Sequence, residues 1–525
     1  MKWILTAAAA VVLFSTTLPA ENWPAWRGPF GTSVSPASGI PSEWSDDSNI
    51  AWRTALKGLG VSSPIAWGGR VFVTYQAGRG TLRPGRHPSL VQDGDPASAG
   101  EVPLGGSRPE GGGDSNVTFV LAALDASSGK LLWEHEMKAE GPLPEVHQKS
   151  NMASPSPVTD GERVYAWFST GQLAALDMDG KPVWRRHIGQ EYSVFDIGWG
   201  HGSSPAIHGD TLILVCFHNS ASYLLALDKR TGKQIWKTDR AAKATSYSTP
   251  AVAEGPNGPE IIVNCSEGVE GYDAKTGKQL WHFTEANRFA IPAPVHGNGT
   301  VYMTRGYRSG PYMAIKTGGK GDIKGTHVNW HVDTGAPYVS SLIHYEGLLY
   351  MANGLGIVTC VDAETGERIW QERLGGVYSA TPVAADGKIY LFSENGDALV
   401  LRATEHTSTI MNRYPYTNAH LMVAPRAHTA NFAGMPSGLA TVVSQEVQLA
   451  VDVLTRAYAP HGFNIGMNLG RSGGAGIADH LHWHVVPRWE GDTNFMPLLA
   501  DTRVISQHLE TAYDRLLPLF KEAAT

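Results

Sequence analysis

The unit Tyr272-Asp273-Ala274-Lys275-Thr276-Gly277-Lys278-Gln279-Leu280-Trp281 recurs along most of this chain. Its Asp and Gly predict a hairpin turn, because an Asp side chain accepts backbone N–H bonds and Gly readily takes a positive φ. The apolar residues and Trp that follow predict a β-strand whose indole packs against a neighbouring sheet. Full copies occupy residues 124–133, 227–236 and 361–370, a shortened copy residues 176–184, and an expanded copy residues 315–330.

A second unit, Ser203-Ser204-Pro205, precedes the first and returns as Ser248-Thr249-Pro250 and Ala380-Thr381-Pro382. From Trp133 onward the closing Trp residues are about 40 to 52 positions apart, which is the length of one four-stranded propeller blade. A single sheet of this kind cannot bury both of its faces. Successive blades are therefore expected to stack around a common axis.

The number of blades follows from counting the second unit. Counting from Ser62-Ser63-Pro64 gives seven starts, so seven blades are expected, with eight as the alternative. The last blade, residues 381–402, has no closing Trp, whereas Ile50-Ala51-Trp52 has a Trp strand with no blade before it. Pairing of these two segments would close the ring.

The repeats resemble the pyrroloquinoline-quinone-like propeller family, which includes outer-membrane assembly propellers. The opening Trp23-Pro24-Ala25-Trp26-Arg27-Gly28-Pro29 is similar to the same group. The resemblance implies a propeller over residues 21–402 that serves as a binding or scaffolding domain for a protein partner. Quinone-dependent dehydrogenases often carry a vicinal cysteine pair, and Cys216, Cys265 and Cys360 are far apart in this sequence. The sequence thus argues against pyrroloquinoline quinone (PQQ) as a cofactor.

The C-terminal part of the chain contains His480-Leu481-His482-Trp483-His484-Val485-Val486. This alternation predicts a β-strand with three imidazoles on one face, and with Leu481, Trp483 and Val485 directed to a core. Such a row suits a metal site, because neutral imidazole is a common ligand. It equally suits nucleophilic catalysis, in which one ring attacks an electrophile and its neighbours orient it.

A glycine-rich loop precedes this strand. A second alternating segment, residues 463–469, leads into Gly470-Arg471-Ser472-Gly473-Gly474-Ala475-Gly476. The loop has no acidic residue, and its glycines let backbone N–H groups approach a phosphate closely. A phosphate beside the histidines is therefore favoured over a bound cation, and no metal ligands are assigned.

Together with Asn412-Arg413-Tyr414-Pro415-Tyr416 and His420-Leu421-Met422-Val423-Ala424-Pro425, these motifs resemble a histidine triad (HIT) domain over residues 403–525. Within that superfamily the chain is most similar to the branch of diadenosine tetraphosphate phosphorylases and ATP adenylyltransferases. The resemblance implies a nucleotide as substrate and the pairing of two HIT domains into a homodimer.

The resemblance also implies roles for individual residues. His482 is expected to be the catalytic nucleophile on an α-phosphorus, while His480 and His484 bind phosphate oxygens and orient the middle ring. Asparagines are expected to hold the ribose and the reacting phosphate, and the glycine-rich loop to donate hydrogen bonds to the developing charge. The expected nucleotide- and phosphate-binding residues are Asn412, His420, Asn468, Ser472, Gly473, Gly474 and Gly476.

Two helices are expected to back the sheet of this domain. Apolar residues recur at helical spacing through residues 437–458, and a second helical pattern covers residues 504–517. The expected fold class is therefore multidomain: an all-β propeller followed by an α+β HIT domain.

Residues 1–20 predict a secretory signal peptide, because a short positive start precedes an apolar run and a small residue, Ala20. The run is too short to span a bilayer comfortably, so no stable membrane span is expected after cleavage. The signal indicates an exported protein, periplasmic or extracellular, although a HIT domain alone would suggest the cytoplasm. A net charge of −7 with 17% charged residues gives no indication of nucleic-acid binding.

The sequence thus predicts an enzyme, a nucleotide hydrolase or nucleotidyltransferase that acts on nucleoside or dinucleoside polyphosphates. The expected chemistry passes through a nucleotidyl-histidine intermediate. No bound cofactor is required, although Mg²⁺ can accompany the nucleotide. Two alternatives stay open: an exported binding or assembly protein with a non-catalytic HIT module, and a quinone-dependent oxidoreductase.

Overall fold

The computed structural model describes most of the chain. The described residues are 22–41, 44, 48–78, 116–147, 149–307, 310–394, 398–403, 406–411, 419–427, 429–473, 480–490, 515, 516 and 519. The expected signal peptide and most of the expected helix over 504–517 lie outside these residues. Among the described residues, no helix is long and apolar enough to cross a membrane.

Seven sheets form the propeller within the described residues, as the repeat count predicts. A short strand, β1 (Val34–Ser35), comes before the first blade. Blade one contains β2 (Ile65–Trp67), β3 (Arg70–Ala77), β4 (Thr118–Asp125) and β5 (Leu131–Lys138). Blade two contains β6 (Val158–Thr159), β7 (Arg163–Trp167), β8 (Gln172–Asp177) and β9 (Pro182–His187), followed by the short helix α1 (Ile188–Glu191). Blade three contains β10 (Ala206–His208), β11 (Thr211–Phe217), β12 (Ser222–Asp228) and β13 (Gln234–Asp239).

The remaining blades follow the same antiparallel order. Blade four contains β14 (Ala251–Gly255), β15 (Gly258–Cys265), β16 (Gly268–Asp273) and β17 (Gln279–Thr284). Blade five contains β18 (Val295–Gly297), β19 (Thr300–Thr304) and β20 (Tyr312–Lys316), then β21 (Gly321–Asp322), which joins blade four, and finally β22 (Val328–Val332). Blade six contains β23 (Ile343–Tyr345), β24 (Leu348–Ala352), β25 (Ile357–Asp362) and β26 (Arg368–Arg373). Blade seven begins with β27 (Val383–Ala385), β28 (Lys388–Phe392) and β29 (Ala398–Ala403).

The hairpin turn of the first repeat unit has the predicted geometry. In blade four the Asp273 carboxylate accepts the backbone N–H of Lys275 at 3.1 Å and of Thr276 at 2.7 Å. Gly277 has φ +73°, and a Cβ on it would lie 2.4 Å from the indole of Trp236 in the preceding blade. Glycine is thus required twice, for its backbone conformation and for the contact that joins two blades.

The second repeat unit links neighbouring blades around the axis. Two residues before an innermost strand, a hydroxyl accepts a backbone N–H from the preceding blade. The bonds run from Ser63 N to Ser156 Oγ, Ser156 N to Ser204 Oγ and Ser204 N to Thr249 Oγ1, each 2.9 Å long, and from Ala293 N to Ser341 Oγ at 2.9 Å and Ser341 N to Thr381 Oγ1 at 3.4 Å. We call the five accepting residues, Ser156, Ser204, Thr249, Ser341 and Thr381, the hydroxyl ring.

The expanded copy of the first unit in blade five has a structural cause. Its extra residues carry β21, which pairs in parallel with β17 and extends the outer edge of blade four. The same segment brings Gly318 N to 2.8 Å from the carboxylate of Glu260, which also accepts the indole N–H of Trp281 at 2.7 Å. The degenerate sequence therefore covers a neighbouring blade instead of forming the usual turn.

The expected role of residues 50–52 in ring closure is supported at Trp52. Its indole N–H donates to Ala126 O at 2.8 Å, at the turn of blade one, just as Trp133 of blade one donates to Met178 O at the turn of blade two. Trp52 thus takes the position of the Trp that the last blade lacks, whereas among the described residues no ladder joins residues 50–52 to β29, so the strand pairing stays a prediction. A second link comes from β1, which pairs in parallel with β27 through Val34↔Ala384 and Ser35↔Ala385.

The C-terminal domain is α+β, as expected. Its described elements are β30 (Thr407–Met411), β31 (Leu421–Pro425), α2 (Ser437–Tyr458), β32 (Gly462–Gly466), a 3₁₀ turn (Arg471–Gly473) and β33 (Trp483–Arg488). The helix α2 has the predicted bounds and ends at Ala459 with φ 43°. Val443, Val447 and Leu454 of this helix pack against Val423 and Val485 of the sheet.

The two domains share one sheet. Blade seven continues through β30, β31, β33 and β32, because Arg402 and Ala403 of β29 pair with Thr409 and Ser408 of β30. The guanidinium of Arg426, at the end of β31, donates to the carboxylate of Glu346 in blade six at 2.7 Å. The HIT domain is therefore joined to the propeller by backbone pairing and by an ion pair.

Candidate active site around the histidine row

The strand β33 lies in the middle of the HIT sheet, between β31 and β32. His484 is opposite Met422 on one side and Gly466 on the other. Val485 is fully buried and packs in the core under α2, together with Trp483. His484 therefore projects from the face of the sheet away from α2, so the predicted alternation is confirmed from Trp483, where the strand begins. His480 and His482 precede the strand, and the ring of His482 lies beside that of His484 with centroids 4.9 Å apart.

The ring of His482 has a defined tautomer. Its Nδ1 lies 3.0 Å from the backbone carbonyl oxygen of His480. A carbonyl oxygen can only accept a hydrogen bond, so Nδ1 carries a proton, and in the neutral ring the lone pair is on Nε2. The ring is half-buried. Its Nε2 is thus the basic, nucleophilic atom of the ring.

His480 lies deeper than its neighbours. It is 4% exposed, and its Nε2 donates to Pro425 O, at the end of β31, at 2.8 Å. This bond fixes His480 against β31. The backbone carbonyl of His480 is in turn the group that bonds His482. The structure accordingly gives His480 a positioning contact, and its binding of phosphate stays a prediction.

His484 is supported by His420. The two rings share a hydrogen bond of 2.9 Å between His420 Nε2 and His484 Nδ1, and their centroids are 5.0 Å apart. Burial, followed by the charges of His484 and His482, lowers the pKa of His420 to about 3. Burial and the charge of His482 also lower the pKa of His484. Both rings are therefore neutral at neutral pH, so one ring can donate and the other accept the hydrogen bond between them.

The glycine-rich loop begins beside these rings. The pairing Gly466↔His484 is the last of the ladder, so the chain leaves β32 opposite His484, two residues before Asn468. The 3₁₀ turn after it includes Ser472 and Gly473, both exposed, and Gly473 N donates to Gly470 O at 3.1 Å. Asn412, Gly474 and Gly476 lie outside the described residues. The structure thus brings together the four histidines and the start of the loop.

The alternative function of the histidine row, as a metal site, requires several ligand side chains close together. Across the part of the chain that the structure describes, no three His, Cys, Asp or Glu side chains are grouped so that they could hold a metal ion.

Sequence reasoning assigned no role to Pro425, although its carbonyl positions His480. A contact of this kind has no side-chain signal, because any residue supplies a carbonyl.

Known families match both parts of the chain. A family model described as outer membrane protein assembly factor BamB matches residues 117–307 and 322–410, and the HIT domain model matches residues 393–491. The two matches overlap over residues 393–410, where β29 and β30 share a sheet.

Individual relatives divide in the same way. The AP-4-A phosphorylase of Mycobacterium tuberculosis is 37% identical over 131 residues, which are 25% of this chain and 67% of that protein. The tetrathionate hydrolase of Acidithiobacillus ferrooxidans is 29% identical over 301 residues, 53% of this chain, and the match spans about half (54%) of that protein. The crystal structure of BamB from Moraxella catarrhalis aligns with a TM-score of 0.41 and 16% identity, covering 56% of this chain and 80% of that one. The chain belongs to the BamB-like repeat family through its propeller and to the histidine triad family through its C-terminal domain.

Proposed function

We propose that the HIT domain is a nucleotide hydrolase or nucleotidyltransferase that acts on nucleoside or dinucleoside polyphosphates through a nucleotidyl-His482 intermediate. The observation that carries this proposal is the hydrogen bond from His482 Nδ1 to His480 O at 3.0 Å. It leaves a lone pair on Nε2 of a half-buried ring, which is what nucleophilic attack on phosphorus requires.

The reaction divides into two displacements. His482 Nε2 attacks the α-phosphorus and forms a P–N bond, while the bond to the bridging oxygen breaks and the polyphosphate departs with the electron pair. Water or inorganic phosphate then attacks the same phosphorus and displaces Nε2. Each step has a lower barrier than a direct displacement, because the imidazole is both a good nucleophile and a good leaving group.

The histidine pair supplies a donor for the phosphoryl oxygens. If His420 Nε2–H donates to His484 Nδ1 across the 2.9 Å bond, the proton of His484 is on Nε2. That N–H can then donate to a phosphoryl oxygen as negative charge develops there. Backbone N–H groups of the loop that includes Ser472 and Gly473 would add donors on the same side, and Asn468 would hold the reacting phosphate.

The first test is the identification of products. Full-length protein is incubated with diadenosine tetraphosphate, with and without inorganic phosphate, and the nucleotides are separated. A phosphorylase yields ADP and ATP only when phosphate is present, whereas a hydrolase forms its products in water alone. His482→Ala should reduce turnover by about a thousandfold or more, because a catalytic nucleophile is removed.

The matched control is His461→Ala. His461 is an exposed histidine of the same domain whose ring accepts Glu490 N at 2.9 Å, away from the row. It should retain most of the activity. Turnover of pure His482→Ala at the wild-type rate would refute the proposal, and nucleotide binding without products would support the non-catalytic alternative.

We also infer that the chain is exported and that its propeller binds or scaffolds a partner protein. The pattern of residues 1–20 supports export, and so does the BamB-like match over the propeller. Fractionation of cells that produce the full chain should place it outside the cytoplasm, with a mass reduced by cleavage near Ala20. Recovery in the cytoplasm at full mass would contradict this inference.

A further inference from the structure

A large cavity lies on the axis of the propeller, remote from the histidine row. Its volume is about 1360 Å³, which exceeds the roughly 300–1,000 Å³ of a site for one drug-sized molecule. The hydroxyl ring lines the cavity at the start of the innermost strands. Trp199, Tyr247, Phe289 and Tyr338, which we call the aromatic collar, line it just upstream of the ring in their blades.

One end of the cavity is closed by the N-terminal segment, residues 22–35. Trp23 pairs with Ala66 of blade one, and Pro24 O accepts Thr159 N of blade two. The segment then crosses to blades five and six, where Arg27 donates to Pro294 O and Leu342 O. It returns to the neighbour of blade one, where Ser33 O accepts Ala384 N of blade seven. Because it contacts opposite sides of the ring, the segment crosses the axis and forms a floor.

Arg27 is the charged residue of this floor. It is 3% exposed, and its guanidinium donates to Leu342 O at 2.8 Å, Pro294 O at 3.0 Å and, more weakly, Ala293 O at 3.5 Å, while Nε donates to the Ser33 hydroxyl at 3.1 Å. Every acceptor is neutral, and burial lowers the pKa of Arg27 to about 9. One of the five guanidinium N–H groups has no acceptor among the described residues.

The hydroxyl ring adds donors to the same cavity that Arg27 lines. Each ring oxygen accepts a backbone N–H, and no acceptor for its own O–H occurs in the described part of the chain. Ser156, Ser204 and Ser341 are 4%, 6% and 1% exposed. A buried cation without a carboxylate partner is costly, and so are buried donors without acceptors, so this end of the cavity has unmet capacity for an anion.

We propose that the axial cavity binds an organic carboxylate with an apolar body. The carboxylate reaches the remaining N–H of Arg27 and the O–H groups of the hydroxyl ring, where both oxygens can accept several hydrogen bonds. The apolar body lies against the aromatic collar, in which Trp199 and Tyr247 both pack near the ring of Phe289, at centroid distances of 6.2 Å and 6.4 Å. Two sources have this chemistry, a small aromatic acid and the carboxyl end of a peptide.

The test compares acids with their uncharged amides on the full-length protein. Isothermal titration at neutral pH uses naphthoate against naphthamide, and acetyl-Ala-Ala-Phe with a free carboxyl group against the same peptide as its amide. In at least one pair the acid should bind about tenfold or more tightly than the amide, as expected for charged hydrogen bonds in a buried site. Preference for naphthoate identifies a small acid, and preference for the peptide acid identifies a chain end.

Variants locate the binding to the floor and the ring. Arg27→Gln should abolish the preference for the acid, whereas Arg368→Gln, at an exposed position on the outermost strand of blade six, should keep it. Because Arg27 also fastens the N-terminal segment, folding is checked by circular dichroism. Thr381→Val is a milder second variant, since the Thr381 hydroxyl accepts only a long 3.4 Å bond. It should lower the affinity for the acid severalfold. Equal affinity for acid and amide in both pairs, no binding in either pair, or an acid preference that survives folded Arg27→Gln would overturn the proposal.

Discussion

At His482 the ring is oriented by a contact with the backbone two residues away. Its Nδ1–H donates to the carbonyl of His480, and the ring of His480 is in turn held by Pro425 O at 2.8 Å. The tautomer is therefore set by the backbone, and no side-chain substitution removes the carbonyl that sets it. The sequence could rank His482 as the nucleophile only by family resemblance, because tautomers have no sequence signal.

Acid pH should destabilise the HIT domain through His420. The pKa of this buried histidine falls to about 3 on folding, from an ordinary value of about 6.5. Above pH 6.5 the ring is neutral in both states. Between about pH 6.5 and 3 the unfolded chain binds a proton that the folded domain does not. The free energy of unfolding should thus fall as pH falls, by up to about 1.4 kcal/mol per pH unit.

The measurement is chemical unfolding of wild type and His420→Asn between pH 7 and 4, followed by a signal of the HIT domain. The free energy of unfolding should change less steeply with pH in the variant than in the wild type, because Asn does not titrate. His201 and His218 of the propeller, whose pKa values burial lowers to about 3 and about 4, are unchanged in the comparison. An equal change of slope for the exposed His461→Asn would contradict the role of burial.

In the repeated hairpin turn, Gly277 both adopts a positive φ and leaves room for the indole of Trp236. Gly277→Ala should cost about 2 kcal/mol or more of unfolding free energy, because it combines a positive φ with a clash against the indole of Trp236. Gly209→Ala is the matched control, since Gly209 also has a positive φ, of +56°, but nothing lies within 4 Å of its added Cβ. Denaturant unfolding should show the larger loss for Gly277→Ala. Equal losses would mean that the contact with Trp236 contributes little.

Elements could be predicted where their residues act locally. The Asp–Gly turn, the helix over 437–458 and the alternation from Trp483 all depend on contacts within a few residues, and the structure confirms them. The pairing of residues 50–52 could not be settled in this way. Strand pairing across the ring depends on partners hundreds of residues apart, and only the folded chain shows that Trp52 meets the turn of blade one as the closing Trp of a preceding blade does.

For the whole molecule, the sequence predicted two domains but not how they join. The strand β30 pairs both with β31 of the HIT domain and with β29 of the last blade. The floor of the axial cavity could not be predicted from the sequence either, because Arg27 bonds to carbonyls of blades five and six, more than 260 residues away. Carbonyl acceptors have no side-chain pattern, so only the folded chain reveals that the acceptors of Arg27 among the described residues are all neutral.

The fused sheet places the histidine row and the propeller in one continuous structure. Residues of blade seven pair with β30, and Arg426 fastens β31 to Glu346 at 2.7 Å. The full-length protein is therefore the form in which the chemistry should be measured.

The most direct measurement is mass spectrometry of the full-length protein, quenched within milliseconds to seconds of mixing with diadenosine tetraphosphate. We expect a covalent nucleotidyl group whose fragment ions place it on the peptide containing His482, and its loss when phosphate or water completes the cycle. The adduct should be absent from His482→Ala and present in His461→Ala. Turnover by the wild-type protein without an adduct, or an adduct on another residue, would contradict a nucleotidyl-His482 intermediate.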